Sequence, residues 1–295
     1  MRVGVILLPT DPWAETVARA QRLEALGYDH LWTYDHLSWQ RYRERDWHAA
    51  IPWLAGIAMA TTTVRLGTIV ASPNFRHPVT LAKEAMTLDH VSAGRLTLGI
   101  GAGGSGFDAT VLGDEPLTPA QRADRFVEWT EVLDRLLREP STSHQGKWYS
   151  VDEARTIPAC VQRPRVPLAI AATGPKTLDL AARLANTWIT YGTHMAVDAT
   201  AAETEAAVRR QAAILDAACE RHGRDPSSIE RLYMIGSTAE RPLASVAAFV
   251  DFAGRYAAMG FTDLVFHHPR PDDPAWDEPE AIVEEIAAEV LPALR

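Results

Sequence analysis

Cysteine is nearly absent from this chain: Cys160 and Cys219 are the only two in 295 residues. They lack metal-ligand spacing and are too few for a disulfide framework, so a thiolate metal centre and a cysteine-stapled secreted fold are both excluded. A reduced, cytoplasmic compartment fits them. Long apolar runs are missing as well. The opening run Val3-Gly4-Val5-Ile6-Leu7-Leu8 stops at Pro9, too short for a signal-peptide core or a membrane span, and reads as a first β-strand. Positive charge is in deficit, with 29 Lys and Arg against 38 Asp and Glu and a net charge of −9. That balance argues against a general nucleic-acid or anionic-membrane surface. The chain also has no His-Glu-x-x-His, nucleophile elbow or Walker-type loop, and Pro9-Thr10-Asp11-Pro12 lacks the His-x-His of metal-dependent barrel hydrolases. No metal is expected.

What is present is a large apolar fraction, 47%, and a rhythm. Strand-like runs at Val3–Leu8, His30–Asp35, Val64–Ser72, Arg95–Gly103, Leu168–Thr173, Thr187–Tyr191, Ile229–Gly236 and Phe261–Phe266 each precede a helical stretch. The helices are expected at Trp13–Leu26, Trp47–Thr62, from Pro78, Thr118–Arg138, Lys176–Ala185, Ala199–His222, Ser245–Met259 and Glu280–Leu294. Only His144–Pro164 breaks the pattern, as an inserted hairpin or loop before the fifth strand. Alternation of this kind implies parallel strands with right-handed crossovers, and eight such units close a barrel. The expectation is an α/β protein: a single-domain (β/α)8 TIM barrel over residues 1–295, with one insertion before strand 5.

Function in such a barrel sits on the loops after the strands. After the second strand, Asp35 and His36 pair a carboxylate with an imidazole able to exchange a proton near neutral pH. The alternative is that Asp35 caps a turn and His36 binds backbone. Arg41, Arg43 and Arg45 read as a solvated face, and Arg76 and His77 as groups that hold a loop in shape. At the fourth exit, Gly99-x-Gly101-x-x-Gly104 matches a dinucleotide fingerprint, but that fingerprint should open directly into a helix. Here Gly113, Pro116 and Pro119 intervene, so Gly101, Ala102 and Gly103 read as a turn that lets a flat or phosphorylated ligand approach closely. At the fifth exit, Thr173, Gly174, Pro175 and Lys176 form a helix start whose backbone N–H groups suit an anion, or an ordinary cap. The later exits offer Tyr191 and His194, Ser237, and His267-His268.

Taken in order, Trp32–His36, Leu66–Pro78, Ser92–Gly103 and Gln162–Pro175 resemble the bacterial luciferase-like monooxygenase superfamily of flavin- and coenzyme F-420-dependent oxidoreductases. The resemblance runs from Met1 to about Gly192; beyond that it rests on the strand–helix rhythm. It implies a cytoplasmic TIM barrel, commonly a homodimer, that binds F-420 or FMN at the strand exits. It implies Asp35 and His36 beside the ring as catalytic candidates, a non-prolyl cis peptide at Ile69-Val70 supporting the ring, and cofactor phosphate at Thr173, Gly174 and Lys176. Gly101, Ala102, Gly103, Pro175 and Tyr191 complete the cofactor-contacting set. One departure is plain: the sugar-phosphate dehydrogenases of the deazaflavin branch carry a glutamate just after the fourth-strand glycines, where this chain has Gly104-Ser105-Gly106.

The expected activity is therefore hydride transfer between F-420 and a small organic substrate. Alternatives are a reduced-FMN monooxygenase that uses oxygen and a partner reductase, and a flavin-binding barrel with no turnover of its own.

Overall fold

The structure is a computed structural model that describes residues 1–39, 42–193, 199–236, 239–270 and 272–294. Arg41, His194 and Ser237 lie outside the described residues. Its elements alternate as the sequence implies: β1 (Arg2–Ile6), α1 (Trp13–Ala25), β2 (His30–Thr33), α2 (Ala50–Ala60), β3 (Arg65–Thr68), α3 (Pro78–Val91), β4 (Leu96–Ile100) and α4 (Pro119–Arg138). A two-stranded antiparallel sheet, β5 (Ser141–Gln145) and β6 (Ser150–Arg155), follows. Then come β7 (Leu168–Ala171), α5 (Pro175–Leu184), β8 (Thr187–Thr190), α6 (Ala201–Arg221), β9 (Glu230–Met234), α7 (Val246–Ala258), β10 (Asp263–His267), α8 (Ala281–Glu289) and α9 (Leu291–Leu294). The barrel is closed in the order β1-β10-β9-β8-β7-β4-β3-β2. Its strands pair in parallel, as in Val5 opposite Phe266 and Gly99 opposite Ala169.

Helix starts follow local chemistry. Thr118 and Gln121 close a capping box on α4, and Thr200 and Glu203 do the same on α6, each satisfying backbone donors that a helix start leaves open. Proline occupies the first turn of α3, α4 and α5, where its missing N–H costs nothing.

The chain's contacts fall into two compact units. One comprises residues 1–7, 22–32 and 172–295. Its core is aromatic: Trp188, Tyr233, Phe249, Tyr256 and Phe266 are fully buried, and the Tyr233 and Tyr256 rings lie 4.0 Å apart. Burial of each such side chain contributes roughly 1.5–3 kcal/mol. The other unit comprises residues 8–21 and 33–171, with Leu54, Ile57, Phe126 and Trp129 at its centre. Arg95 braces it, donating to the carbonyl oxygens of Ala58, Thr61 and Val64 at 2.7, 3.1 and 2.9 Å. The bonds to Ala58 and Thr61 satisfy carbonyls that the end of α2 leaves without intrahelical donors.

Several boundaries differ from expectation by a few residues, and two of them bear on the site. α2 begins at Ala50 rather than Trp47, because the Trp47 indole is engaged in the loop before it. β3 ends at Thr68, and the chain returns to the sheet only as a bridge between Ala71 and Ile100.

Candidate active site

The unit that holds residues 33–171 gathers most of the expected site residues. At the end of β2 the backbone turns outward, burying Tyr34 and Asp35 and leaving His36 partly open. Asp35 is 2% exposed, and both its oxygens accept from Arg76, Nε at 2.9 Å and Nη2 at 2.8 Å. Arg76 also donates to Glu84 at 2.8 Å. Burial alone would lower the guanidinium pKa, yet the bonds to Asp35 carry it above the ordinary arginine value. Arg76 thus ties the β2 exit to α3, in keeping with a structural role. His77 caps α3, its Nδ1 accepting from the backbone N–H of Val79.

His36 is held on three sides. Its Nδ1 lies 2.5 Å from Asp108 Oδ2, its carbonyl oxygen accepts from Trp47 Nε1 at 2.8 Å, and its ring is nearly parallel to Trp39 at 6.2 Å. Tyr34 and Trp47 meet it edge-on, with centroids at 5.9 and 6.2 Å. Among the described residues, Nε2 has no hydrogen-bond partner. The imidazole therefore offers one free nitrogen within a ring of aromatic faces.

Asp108 is not where the family resemblance places a carboxylate, directly after the β4 glycines, where this chain has Gly104-Ser105-Gly106. The carboxylate comes two residues later, on a short 3-10 turn at Phe107–Ala109. No spacing rule links position 36 to position 108; only the fold brings them together. Trp47 reads in the sequence as the start of a helix, and nothing there marks it or Trp39 as walls around one imidazole.

The β3 and β4 exits form a tight backbone cradle. The Ile69–Val70 peptide is cis, and Gly103 has a φ of +75°. A Cβ on Gly101 would come within 2.6 Å of Val70 Cγ2, and one on Gly103 within 2.6 Å of Asn74 Oδ1. Only glycine lets the backbone pack so closely against these two side chains. Asn74 is buried and donates to the Gly104 carbonyl at 3.1 Å while accepting from Arg125 Nη2 at 2.6 Å. Arg125 Nε is buried without a partner among the described residues, and burial lowers that guanidinium's pKa. The next long helix starts only at Pro119, which rules out the dinucleotide-fingerprint reading of the glycines.

The other unit carries the remaining expected residues. Gly174, not Thr173, is the N-cap of α5, and no side chain satisfies that helix start. Thr173, Pro175 and Lys176 are exposed. Tyr191 is half-buried, which raises its phenol pKa. The adjacent histidines after β10 go to different partners. Buried His267 accepts from Arg270 at 3.2 Å and packs on Trp276; burial first, then the Arg270 charge, lowers its pKa well below the usual range. His268 Nε2 lies 3.3 Å from Glu280. Among the described residues no group of three or more His, Cys, Asp and Glu could hold a metal ion, and no helix is long and apolar enough to cross a membrane.

Comparison with known proteins agrees with this geometry. The chain is 33% identical to the F-420-dependent glucose-6-phosphate dehydrogenase of Beutenbergia cavernae, covering 97% of this chain and 94% of that protein. It is 31% identical to the F-420-dependent hydroxymycolic acid dehydrogenase of Mycobacterium tuberculosis over 63% of this chain and 52% of the relative. An F-420-dependent secondary alcohol dehydrogenase, solved with an F-420–acetone adduct, shares the fold with a TM-score of 0.80 at 17% identity, covering 100% of this chain and 99% of its own. The luciferase-like monooxygenase family matches residues 1–289, and the chain belongs to that family.

Proposed function

We propose that this chain, acting as one barrel domain over residues 1–295, is an F-420-dependent oxidoreductase that moves a hydride between the deazaflavin and a small organic substrate. The observation that carries the reading is His36 Nε2, unpartnered among the described residues and set among Tyr34, Trp39 and Trp47 on the unit that also holds the glycine turn. The Gly101–Gly103 turn, packed against Val70 and Asn74, is where the family resemblance puts the ring. When bound, F-420 supplies two-electron hydride chemistry that no side chain can perform. The protein's share is binding and proton handling.

In this reading the residues at Asp35, His36, Ile69, Val70, Gly101, Ala102 and Gly103 contact the ring. Thr173, Gly174, Pro175, Lys176 and Tyr191 are the further cofactor-contacting residues that the family resemblance implies. The uncapped start of α5 leaves backbone N–H groups for a phosphate. His36 Nε2 takes the substrate hydroxyl proton during oxidation, or returns it during carbonyl reduction. Asp35 holds the strand end, because a carboxylate with both oxygens on one guanidinium is poorly placed to trade protons. The relatives named for F-420 support the cofactor preference. Free, buried Cys160 and Cys219 suit a cytoplasmic location, and a homodimer is the expected assembly.

Fluorescence titration of F-420 and of FMN against the purified protein tests the cofactor. Tight F-420 binding with weak FMN binding is expected. The reverse would point to a reduced-FMN monooxygenase served by a reductase. Tight F-420 binding with no turnover on a panel of alcohols and ketones would mark a non-catalytic barrel, and binding of neither cofactor would overturn the proposal.

A further inference from the structure

Asp108 accepts at both of its oxygens: Oδ1 from the backbone N–H of Leu37 at 3.0 Å, and Oδ2 facing His36 Nδ1 at 2.5 Å. The carboxylate is buried, with 6% exposure, and has no proton to give while ionised. Leu37 and His36 are adjacent, so one carboxylate grips both the backbone and the ring of the same short segment. The Phe107–Ala109 turn that carries it is itself clamped, with the Arg43 guanidinium 4.3 Å over the Phe107 ring.

We infer that Asp108 is a positioning residue that fixes His36 in the Nδ1–H form, so that Nε2 carries the lone pair when the imidazole is neutral. An acceptor-only partner leaves the ring no other choice. Nδ1 must donate, and the unprotonated nitrogen is the one without a hydrogen-bond partner among the described residues. Nothing in the sequence pairs these two residues, and the proposed chemistry needs a base at Nε2. The inference rests on the proposed role of His36, but the tautomer itself can be read without cofactor or substrate.

The experiment is nitrogen-15 NMR of the full chain with labelled histidine, recorded where the imidazole is neutral, with His36 assigned by loss of its signals in His36→Gln. A protonated Nδ1 and a bare Nε2 are expected. Asp108→Asn is the informative variant. Its side chain has one carbonyl oxygen and one NH2 group, so it cannot accept from both Leu37 and His36. With the carbonyl held by Leu37, the NH2 faces Nδ1 and drives the ring to the Nε2–H form.

The expected outcome is a switched tautomer and a kcat about 10²–10⁴-fold lower, with KM and F-420 affinity nearly unchanged. A wild-type His36 already in the Nε2–H form would overturn the inference, and that spectrum needs no variant to fold. A switched tautomer in Asp108→Asn with unchanged kcat would remove the positioning role. F-420 binding measured alongside separates either failure from failure of the cofactor assignment.

Discussion

Arg76 closes on Asp35 with two parallel hydrogen bonds of 2.9 and 2.8 Å, so the carboxylate beside His36 is fully committed to one guanidinium. The pair is largely withdrawn from water, with 14% exposure for the Arg76 side chain and 1% for Asp35. Removing one partner leaves the other charge buried and unpaired. Arg76→Met is expected to cost about 3–5 kcal/mol in urea unfolding. The double variant Asp35→Asn, Arg76→Met should recover part of that loss, because no orphan charge remains. Glu84→Ala, at the exposed end of the same network, should cost under about 1 kcal/mol. Equal costs for Arg76→Met and Glu84→Ala would show that the buried pair is not the anchor.

His36→Ala separates binding from proton transfer. Among the described residues the imidazole's partners are Asp108 and neighbouring rings, so its loss should weaken F-420 binding by no more than its own contact with the ring, within about tenfold. Turnover should fall about 10²–10⁴-fold, the usual contribution of a positioned acid or base. Steady-state kinetics beside fluorescence titration checks both halves. A variant with full kcat would move the proton-handling role to another residue.

Gly103→Ala probes the cradle. The backbone there has a φ of +75°, a conformation that costs a non-glycine residue about 1 kcal/mol. The added methyl would also press on Asn74, whose Oδ1 is the acceptor for Arg125 Nη2. Displacing that pair disturbs the wall of the proposed ring site. F-420 binding should weaken about tenfold or more, while Gly113→Ala, also at positive φ but with nothing near its Cβ, should leave affinity unchanged. Equal affinity in both variants would detach the β4 exit from cofactor binding.

The barrel was legible because its signal is periodic: each apolar run and each helix announces itself locally, and closure follows from their number. Asp35, His36 and the β4 glycines were legible as strand exits. Asp108, Asn74 and Arg125 were not, because their meaning lies in contacts that span 72 residues for Asp108 and His36 and 51 for Arg125 and Asn74. The same limit hid the difference between the two neighbours Asp35 and His36. Their sequence presents a pair of equals, whereas Arg76, 41 residues away from Asp35, neutralises one and leaves the other free. Trp47 read as the first residue of a helix, since an indole reaching a backbone carbonyl 11 residues back carries no periodic mark.

Asp263 is expected to make part of the stability of the unit that contains β1 and β10 sensitive to acid. Burial raises its pKa, but bonds from His30 and Arg2 outweigh burial and bring it from the ordinary 3.8 to about 2. Arg2 Nε and Nη2 donate at 2.7 and 2.8 Å, and His30 Nε2 lies at 3.1 Å. A carboxylate whose pKa is depressed on folding stabilises the native state above its unfolded pKa and loses that contribution as pH falls through the folded one. Here that is about 2 kcal/mol at neutral pH, fading between pH 3.8 and about 2. Urea unfolding of wild type and Asp263→Asn across this range should show the fading only in wild type. The variant cannot titrate at this position, so an identical pH dependence in both proteins would place the acid sensitivity on other carboxylates.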